Sequence, residues 1–464
     1  MDISGVCFDA FYEITMHLAI LLNIMFSREK TGVRQMQIYI VKPGDTLWQI
    51  SRRFGVDIQS IVTVNGLQQI PYLIVGQALV IPSTETAYVV KPGDTLYSIS
   101  RRFGVSISRI MTINNITNPN LIYPGMVLRI LALAKNYGYI EVNGYLEPSG
   151  GTSDTAIVND VGRFLTYISP FSYHINEDGS LTAPPDGPAL AAVGRFRVAP
   201  LMVLTNFRNG NFDTALVHGV LRNVQVQQTL IANIQSTLSA KGYYGLNIDF
   251  ERIPPEDREL YNSFLRKVVA ALHPLNYPVS TALAPKPFDI KVGEWHGAHD
   301  YKAHGEIVDF VIIMTYEWGW AGGAPFAVAP LNEVQKVIDY AVTVIPPVKI
   351  LMGVPLYGYD WKLPYVKGGE WAKRVSPQQA LVLAARYGAN IQYDAVAQSP
   401  FFNYTDETGI QHVVWFEDAR SVQAKYLLVN NYGLRGVSYW VLGLSFPQNW
   451  AVLDNMFNIV KVTG

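Results

Sequence analysis

Tyr244-Gly245-Leu246-Asn247-Ile248-Asp249-Phe250-Glu251 is the stretch on which the reading of this chain turns. It alternates with period two, as a β-strand does, because successive side chains on a strand point to opposite faces. Leu246, Ile248 and Phe250 make one apolar face, and Asn247, Asp249 and Glu251 make a polar one. In a barrel of parallel strands the apolar face meets the outer helices and the other face points inward, where Val, Ile and Leu ordinarily pack. Two carboxylates buried side by side repel each other and lose hydration, so at least one of them holds its proton toward neutral pH. A general acid needs that property. The alternative is a structural polar plug held by a salt bridge to Arg252 or another neighbour.

Outward from this strand, short β-rich runs alternate with helix-like stretches, the pattern of βα units around a parallel sheet. Including 245–250, the runs are 140–145, 164–171, 201–205, 279–284, 308–315, 349–354 and 436–440, eight in about 325 residues. That number fits a (β/α)8 barrel, whose active site lies at the C-terminal ends of the strands. The connection between the last two runs is long and carries strand-like pieces of its own at 391–394, 401–404 and 412–416, so a small α+β lobe is expected over about 361–415.

Before the barrel stands an internal repeat. Val41-Lys-Pro-Gly-Asp-Thr-Leu-Trp-Gln-Ile-Ser-Arg-Arg-Phe-Gly-Val56 recurs 49 residues later as Val90-Lys-Pro-Gly-Asp-Thr-Leu-Tyr-Ser-Ile-Ser-Arg-Arg-Phe-Gly-Val105, with 14 of 16 positions identical. Each copy reads as strand, helix, helix, strand: Pro43-Gly44 turns the chain, Asp45 or Thr46 caps a helix carrying Leu47, Ile50 and Phe54, and Gly55 ends it. Units this small bury little core and are expected to bind rather than catalyse.

The composition narrows the partners. A net charge of -1 gives no electrostatic reason to expect nucleic acid. Cys7 is the only cysteine, which excludes an internal disulfide framework and a cysteine zinc site. His174, His296, His299 and His304 lack a metal-ligand spacing and read as surface or loop residues, so neither a metal nor another cofactor is expected. The 27 Tyr, 20 Phe and 9 Trp, with only 16% charged residues, suit contact with sugar faces, although core packing accounts for most of them. Residues 1–36 read as an N-terminal extension. Their apolar stretch is interrupted by Glu13, His17 and Asn23, and their positive charges follow it, so neither a membrane span nor an ordinary signal peptide is expected. Met36 is the expected natural start, and a weak amphipathic anchor is the other reading of the segment.

The repeats, over 37–82 and 87–131, resemble LysM modules through Val-Lys-Pro-Gly-Asp-Thr-Leu and the later Asn and Gly positions. LysM modules bind glycans containing N-acetylglucosamine. The resemblance implies contacts near Gly44, Asp45 and Thr46 and near Gly93, Asp94 and Thr95, with Ile74-Val75 and Tyr123-Pro124 on the facing loops, and avidity from two copies. Residues 137–464 resemble glycoside hydrolase family 18, whose fourth strand reads Asp-Gly-x-Asp-x-Asp-x-Glu. Here Tyr244 and Asn247 replace the first two aspartates, while Asp249 and Glu251 match. Met314-Thr315-Tyr316-Glu317 resembles the family's Met-x-Tyr-Asp, and Trp440 stands where the family places a tryptophan under the sugar.

The resemblance therefore implies a two-module glycan-binding region followed by a (β/α)8 TIM barrel with an inserted lobe. Glu251 would be the proton donor and Asp249 and Tyr316 its catalytic partners. Trp440, Asn247, Glu317, Met314 and Tyr145 would contact substrate, with Asn247 hydrogen-bonding Asp249. It implies retaining, substrate-assisted cleavage of β-1,4 bonds after N-acetylglucosamine. Tandem LysM with this strand is similar to the spore cortex-lytic N-acetylglucosaminidases of endospore formers, which implies peptidoglycan as partner, a spore or cell-wall location and, by expectation, a monomer. A chitinase or chitooligosaccharidase is the second reading, and a non-catalytic glycan-binding protein the third.

Overall fold

The alternating stretch forms a strand, Gly245–Asp249, buried along its whole length. It pairs in parallel with Ala199–Thr205 on one side and Val279–Leu283 on the other. The ring continues through Phe310–Ile313, Ile350–Pro355, Gly436–Trp440, Tyr139–Leu146 and Tyr167–Pro170, every neighbour parallel, and closes at Ala199–Thr205. All eight expected runs supply a strand, with ends shifted by a few residues. The architecture is the expected one, a closed eight-stranded parallel barrel behind two repeats. The structure is a computed structural model and describes residues 36–82, 86–103, 105, 107–130 and 137–462. Apart from Met36, the N-terminal segment and the expectations attached to it lie outside the described residues.

The helix Arg258–Leu272 shows why the outer face of strand four is apolar. Tyr261, Phe264, Leu265, Val268 and Leu272 recur at helical spacing and are buried. Phe250 stacks between Tyr261 and Phe264 at ring distances of 5.8 and 6.0 Å. Inside the barrel, Leu201, Val203, Phe310, Ile312 and Leu351 pack in one apolar cluster. Nearer the mouth the interior turns polar: Asn143 donates to Ser438 Oγ at 2.9 Å and accepts from Ser169 Oγ at 2.8 Å.

The lobe between strands seven and eight is a five-stranded antiparallel sheet. Its order is Lys373–Val375, Gly358–Leu363, Gln411–Trp415, Ser399–Thr405 and Gln392–Asp394. The helix Pro377–Arg386, opened by a Ser376/Gln379 capping box, packs on it through Ala380, Leu381 and Ala384.

In each repeat two short strands pair antiparallel, Gln37–Ile40 with Ala78–Ile81 and Thr86–Val89 with Val127–Ile130. In the first, Thr46 and Gln49 form a capping box on helix Leu47–Phe54, and Gly55 ends that helix in the left-handed region at φ 64°. The capping choice left open by the sequence thus falls to Thr46. Asp45 holds the turn instead, accepting from Tyr39 Oη and the Lys42 N–H, both at 2.7 Å. Asp94 does the same with Tyr88 and Lys91.

The chain divides into two compact units, and the repeats fall on opposite sides of the division. The second repeat belongs to a unit of its own, while the first packs with the barrel. Ile74 is buried among Val375, Ala380, Leu381 and Phe402 of the lobe, and burying such a side chain stabilises by roughly 1.5–3 kcal/mol. The Ile391 N–H donates to the Val75 carbonyl at 2.9 Å. Gln448 Nε2 donates to Asn65 Oδ1 at 2.9 Å and to the Ala78 carbonyl at 2.8 Å. Gly76 lies so close that a Cβ there would meet the Ile391 carbonyl oxygen at 1.8 Å, whereas one at its counterpart Gly125 would meet nothing within 4 Å.

Both glycines have positive φ, 83° and 90°, so alanine at either position incurs backbone strain of about 1–2 kcal/mol. Only Gly76→Ala adds overpacking, about 1–3 kcal/mol more. Thermal unfolding of the full chain is expected to show the larger loss for Gly76→Ala; equal losses for the two variants would refute the docked arrangement.

Candidate active site

Glu251 lies two residues beyond the end of strand four, and its backbone is clamped from the strand on either side. Asn206, which follows strand three, accepts from the Glu251 N–H at 3.0 Å and donates to the Glu251 carbonyl at 2.8 Å. His299, on the segment after strand five, pairs through Nε2 with the Phe250 carbonyl at 3.0 Å and accepts the Ala284 N–H at Nδ1, 2.8 Å. Burial lowers the pKa of His299 to about 4, so the ring is neutral, with the proton on Nε2 as its partners require. His299 and His304 are 1% and 0% exposed. His299 stands on a loop, as expected, yet is not at the surface. For His304 the reading as surface or loop is corrected, since it lies in the helix Tyr301–Ile307 and pairs with Thr281 Oγ1 at 3.0 Å, and both rings brace strand five. Among the described residues no group of His, Cys, Asp and Glu is arranged to hold a metal.

The carboxylates of Asp249 and Glu251 are 4% and 9% exposed as residues, and among the described residues neither accepts a hydrogen bond. Burial raises the pKa of Asp249. Glu251 is raised well above the ordinary range by burial first and the Asp249 charge second; Arg252 acts in the opposite direction. No ion pair ties Arg252 to either carboxylate, so the plug reading finds no salt bridge here among the described residues. Arg252 instead adopts φ 53° and lays its guanidinium over the Trp295 ring at 4.9 Å.

Asn247 does not bond Asp249, contrary to expectation. Its oxygen accepts from the Tyr145 hydroxyl across the barrel at 2.8 Å and its amide donates to Ser280 Oγ on the adjacent strand at 3.0 Å, so both ends are engaged. Tyr145 and Tyr316 are held protonated by burial and by the nearby Asp249 and Glu251 charges. The Tyr316 hydroxyl has no partner among the described residues. Trp440, ending strand eight, meets Tyr145 at 5.5 Å and Phe171 at 4.9 Å in an aromatic cluster. Glu317 takes a left-handed backbone, φ 72°, and its carboxylate accepts from the hydroxyls of Tyr357 and Tyr359, the latter at 3.0 Å. Met314 is half-buried at the end of strand six, where its N–H reaches the Leu283 carbonyl at 2.9 Å.

The barrel residues expected from the sequence therefore gather at one mouth. Gly44, Asp45, Thr46, Gly93, Asp94 and Thr95 sit on the turns of their own repeats, where the aspartates are engaged in local hydrogen bonds. The sequence reading missed Asn206, His299, Tyr357 and Tyr359. Two have a positional signal, since Asn206 and Tyr357 stand within two residues of the end of a barrel strand, where functional groups concentrate; Tyr359 lies in the first strand of the lobe.

Comparison with known proteins agrees with this geometry. Residues 209–444 match the model for glycosyl hydrolases family 18, and 39–82 and 88–131 match the LysM domain. The chain is 47% identical over 431 residues to the cortical fragment-lytic enzyme of Bacillus subtilis (strain 168), covering 92% of this chain and 100% of that one. The crystal structure of the Bacillus megaterium QM B1551 spore cortex-lytic enzyme SleL superposes with a TM-score of 0.79 at 44% identity, over 92% of this chain and 99% of that one. A chitinase from Chromobacterium violaceum ATCC 12472 superposes with a TM-score of 0.61 at 29% identity, over 68% of this chain and 98% of that one. The chain belongs to glycosyl hydrolases family 18: it is a glycoside hydrolase whose barrel follows two LysM modules.

Proposed function

We propose that this enzyme cleaves the β-1,4 bond after N-acetylglucosamine in peptidoglycan of the spore cortex, with retention and with help from the substrate's own acetamido group. The observation that carries the reading is the placement of Asp249, the last residue of strand four, and Glu251, two residues further on, both buried and both without a hydrogen-bond or ion-pair partner among the described residues. Enzymes that use two carboxylates in the ordinary way place them on opposite sides of the bond; a side-by-side pair suits the substrate-assisted route. Glu251, protonated, gives its proton to the glycosidic oxygen as the bond to the anomeric carbon breaks. The acetamido oxygen closes onto that carbon, and the result is an oxazolinium ion. Asp249 holds the acetamido N–H and offsets the positive charge, and Tyr316 donates to the acetamido oxygen. Glu251, now ionised, takes a proton from water, whose oxygen opens the ring at the anomeric carbon. Trp440 is the floor under the sugar. Tyr145, Asn247, Glu317 and Met314 line or support the site.

The cortex is favoured as substrate by the cortical fragment-lytic and spore cortex-lytic enzymes that match nearly the whole chain, and LysM modules supply attachment to the same glycan class. We place the enzyme with the spore and its wall on the same ground. Chitooligosaccharide cleavage is the second reading, favoured by the chitinase that shares the barrel. A non-catalytic glycan binder is disfavoured by the intact Glu251.

Glu251→Gln is expected to lower kcat by about 10³-fold or more while binding of the full chain to peptidoglycan persists; substantial turnover would refute the assignment. Because the folded-state pKa of Glu251 is raised, ionisation penalises the fold once pH exceeds the unfolded value of about 4.3. The glutamine variant is therefore expected to melt higher than wild type at pH 7, and the gain should vanish below about pH 4. Asp249→Asn removes a charge that raises Glu251, so Glu251 gives up its proton at lower pH. The alkaline limb of kcat/KM should move toward acid; a stationary limb would argue against the coupling. A thiazoline mimic of the oxazolinium ion should inhibit competitively, and a lack of inhibition would count against acetamido participation.

A further inference from the structure

Arg252 is the one cationic side chain directly adjoining the proposed acid in sequence, and neither the fold nor the mechanism above uses it. Other arginines of the same domain show how charged groups are normally satisfied: Arg258 pairs with Asp300 and Asp289, each at 2.9 Å, and Arg374, on the lobe, pairs with Glu147 at 3.3 Å. Arg252 has no such partner among the described residues, and its Nε is buried without a hydrogen bond. Its backbone sits in the left-handed region at φ 53°, a conformation that side-chain-bearing residues adopt at a cost. One face of its guanidinium is fixed on Trp295, at 4.9 Å from the ring centre, and that tryptophan is 47% exposed on the segment that follows strand five. Stacking holds the plane of the guanidinium; with Nε buried, its two terminal amino groups, which have no protein acceptor among the described residues, are the donors left to take a carboxylate with two parallel hydrogen bonds.

We infer that Arg252, supported by Trp295, is a binding site for a carboxylate carried by the glycan, and that it makes the enzyme prefer peptidoglycan to chitin. The inference rests on the glycosidase reading above. A chitin strand is uncharged, whereas a peptidoglycan strand bears carboxylates on its lactyl groups or at the ends of its stem peptides. An unpaired guanidinium beside the acid gains nothing from the first and a charge-assisted hydrogen bond from the second. A bound carboxylate also offsets the positive charge next to Glu251, so an anionic strand leaves the acid holding its proton more firmly than a neutral one does.

The test uses the full-length enzyme and peptidoglycan strands prepared in three forms: with stem peptides, stripped by an amidase to free lactyl carboxylates, and with all carboxylates converted to primary amides by carbodiimide and ammonia. Wild type is expected to show a kcat/KM about tenfold higher on a carboxylated form than on the amidated one; the form that carries the preference identifies the lactyl or the peptide source. Arg252→Gln should erase the preference and Arg252→Lys retain part of it. The alkaline limb of wild type should lie higher on the preferred form than on the amidated form, and this gap should close in Arg252→Gln. A preference that survives in Arg252→Gln, or no preference in wild type, would overturn the carboxylate site alone. Failure of wild type to cleave any of the three forms would overturn the peptidoglycan reading together with it.

Discussion

The burial of two carboxylates at the end of one short strand is the constraint that the mouth of this barrel is built around. Neither Asp249 nor Glu251 has a salt bridge among the described residues to offset the loss of hydration. The strand is instead fixed through its backbone. Asn206 takes both polar groups of the Glu251 main chain, and the neutral ring of His299 takes the carbonyl between the two acids. This leaves the side chains themselves without hydrogen-bond or ion-pair partners among the described residues, so the cost of burying them is carried mainly by the surrounding fold, with Arg252 alone favouring the charge on Glu251. The barrel interior adapts at the same level: Asn143, Ser169, Ser438, Asn247 and Ser280 replace the apolar cluster found deeper down.

The two repeats show how one small fold is used in two settings. Their opening segments share 14 of 16 residues, and these make the turn, the first helix and its caps, which each copy needs for itself. Residues 66–75 and 115–124, by contrast, share no identical position. In the first copy that segment contributes Ile74 and the Val75 carbonyl to the lobe, and Gly76 follows it at the point of closest approach. In the second copy the equivalent segment presents Leu121 and Tyr123, 66% and 65% exposed. Asn65 and Asn114 tie second helix to second strand in the same way. Only Asn65 also accepts from Gln448. In the first copy the segment serves both sides: Leu67, Ile70 and Leu73 pack into the repeat's own core, while Ile74 and the Val75 carbonyl meet the lobe.

Much of this was legible in the sequence because it rests on local periodicity. A strand alternating apolar with acidic residues has few structural explanations, and the eight β-rich runs each carry their own signal. What was not legible depends on partners distant in the chain. Asn247 was expected to serve Asp249, two residues away, but in a barrel the nearer partners are Tyr145 and Ser280 on other strands. His299 and His304 looked like loop residues because they stand in a stretch without periodicity, and their burial follows from Tyr261 and strand five packing around them. The lobe began earlier than expected because Gly358–Leu363 follows barrel strand seven, Ile350–Pro355, after only two residues, and no break in pattern separates the two strands.

Burial is the largest influence on the proton of Glu251, and three neighbouring charges adjust it in opposing directions. Asp249 and Glu317 raise its affinity for the proton, and Arg252 lowers it. Glu317 is itself moderated, because the hydroxyls of Tyr357 and Tyr359 stabilise its charged form against the burial that opposes it. The acid is therefore poised by a balance of neighbours and not by burial alone. Such a balance responds to whatever enters the cleft. An acetamido group that engages Asp249, or an anion that meets Arg252, changes one side of the sum without moving a backbone atom. On the proposed reading, these charges then set how firmly Glu251 holds its proton when the sugar arrives.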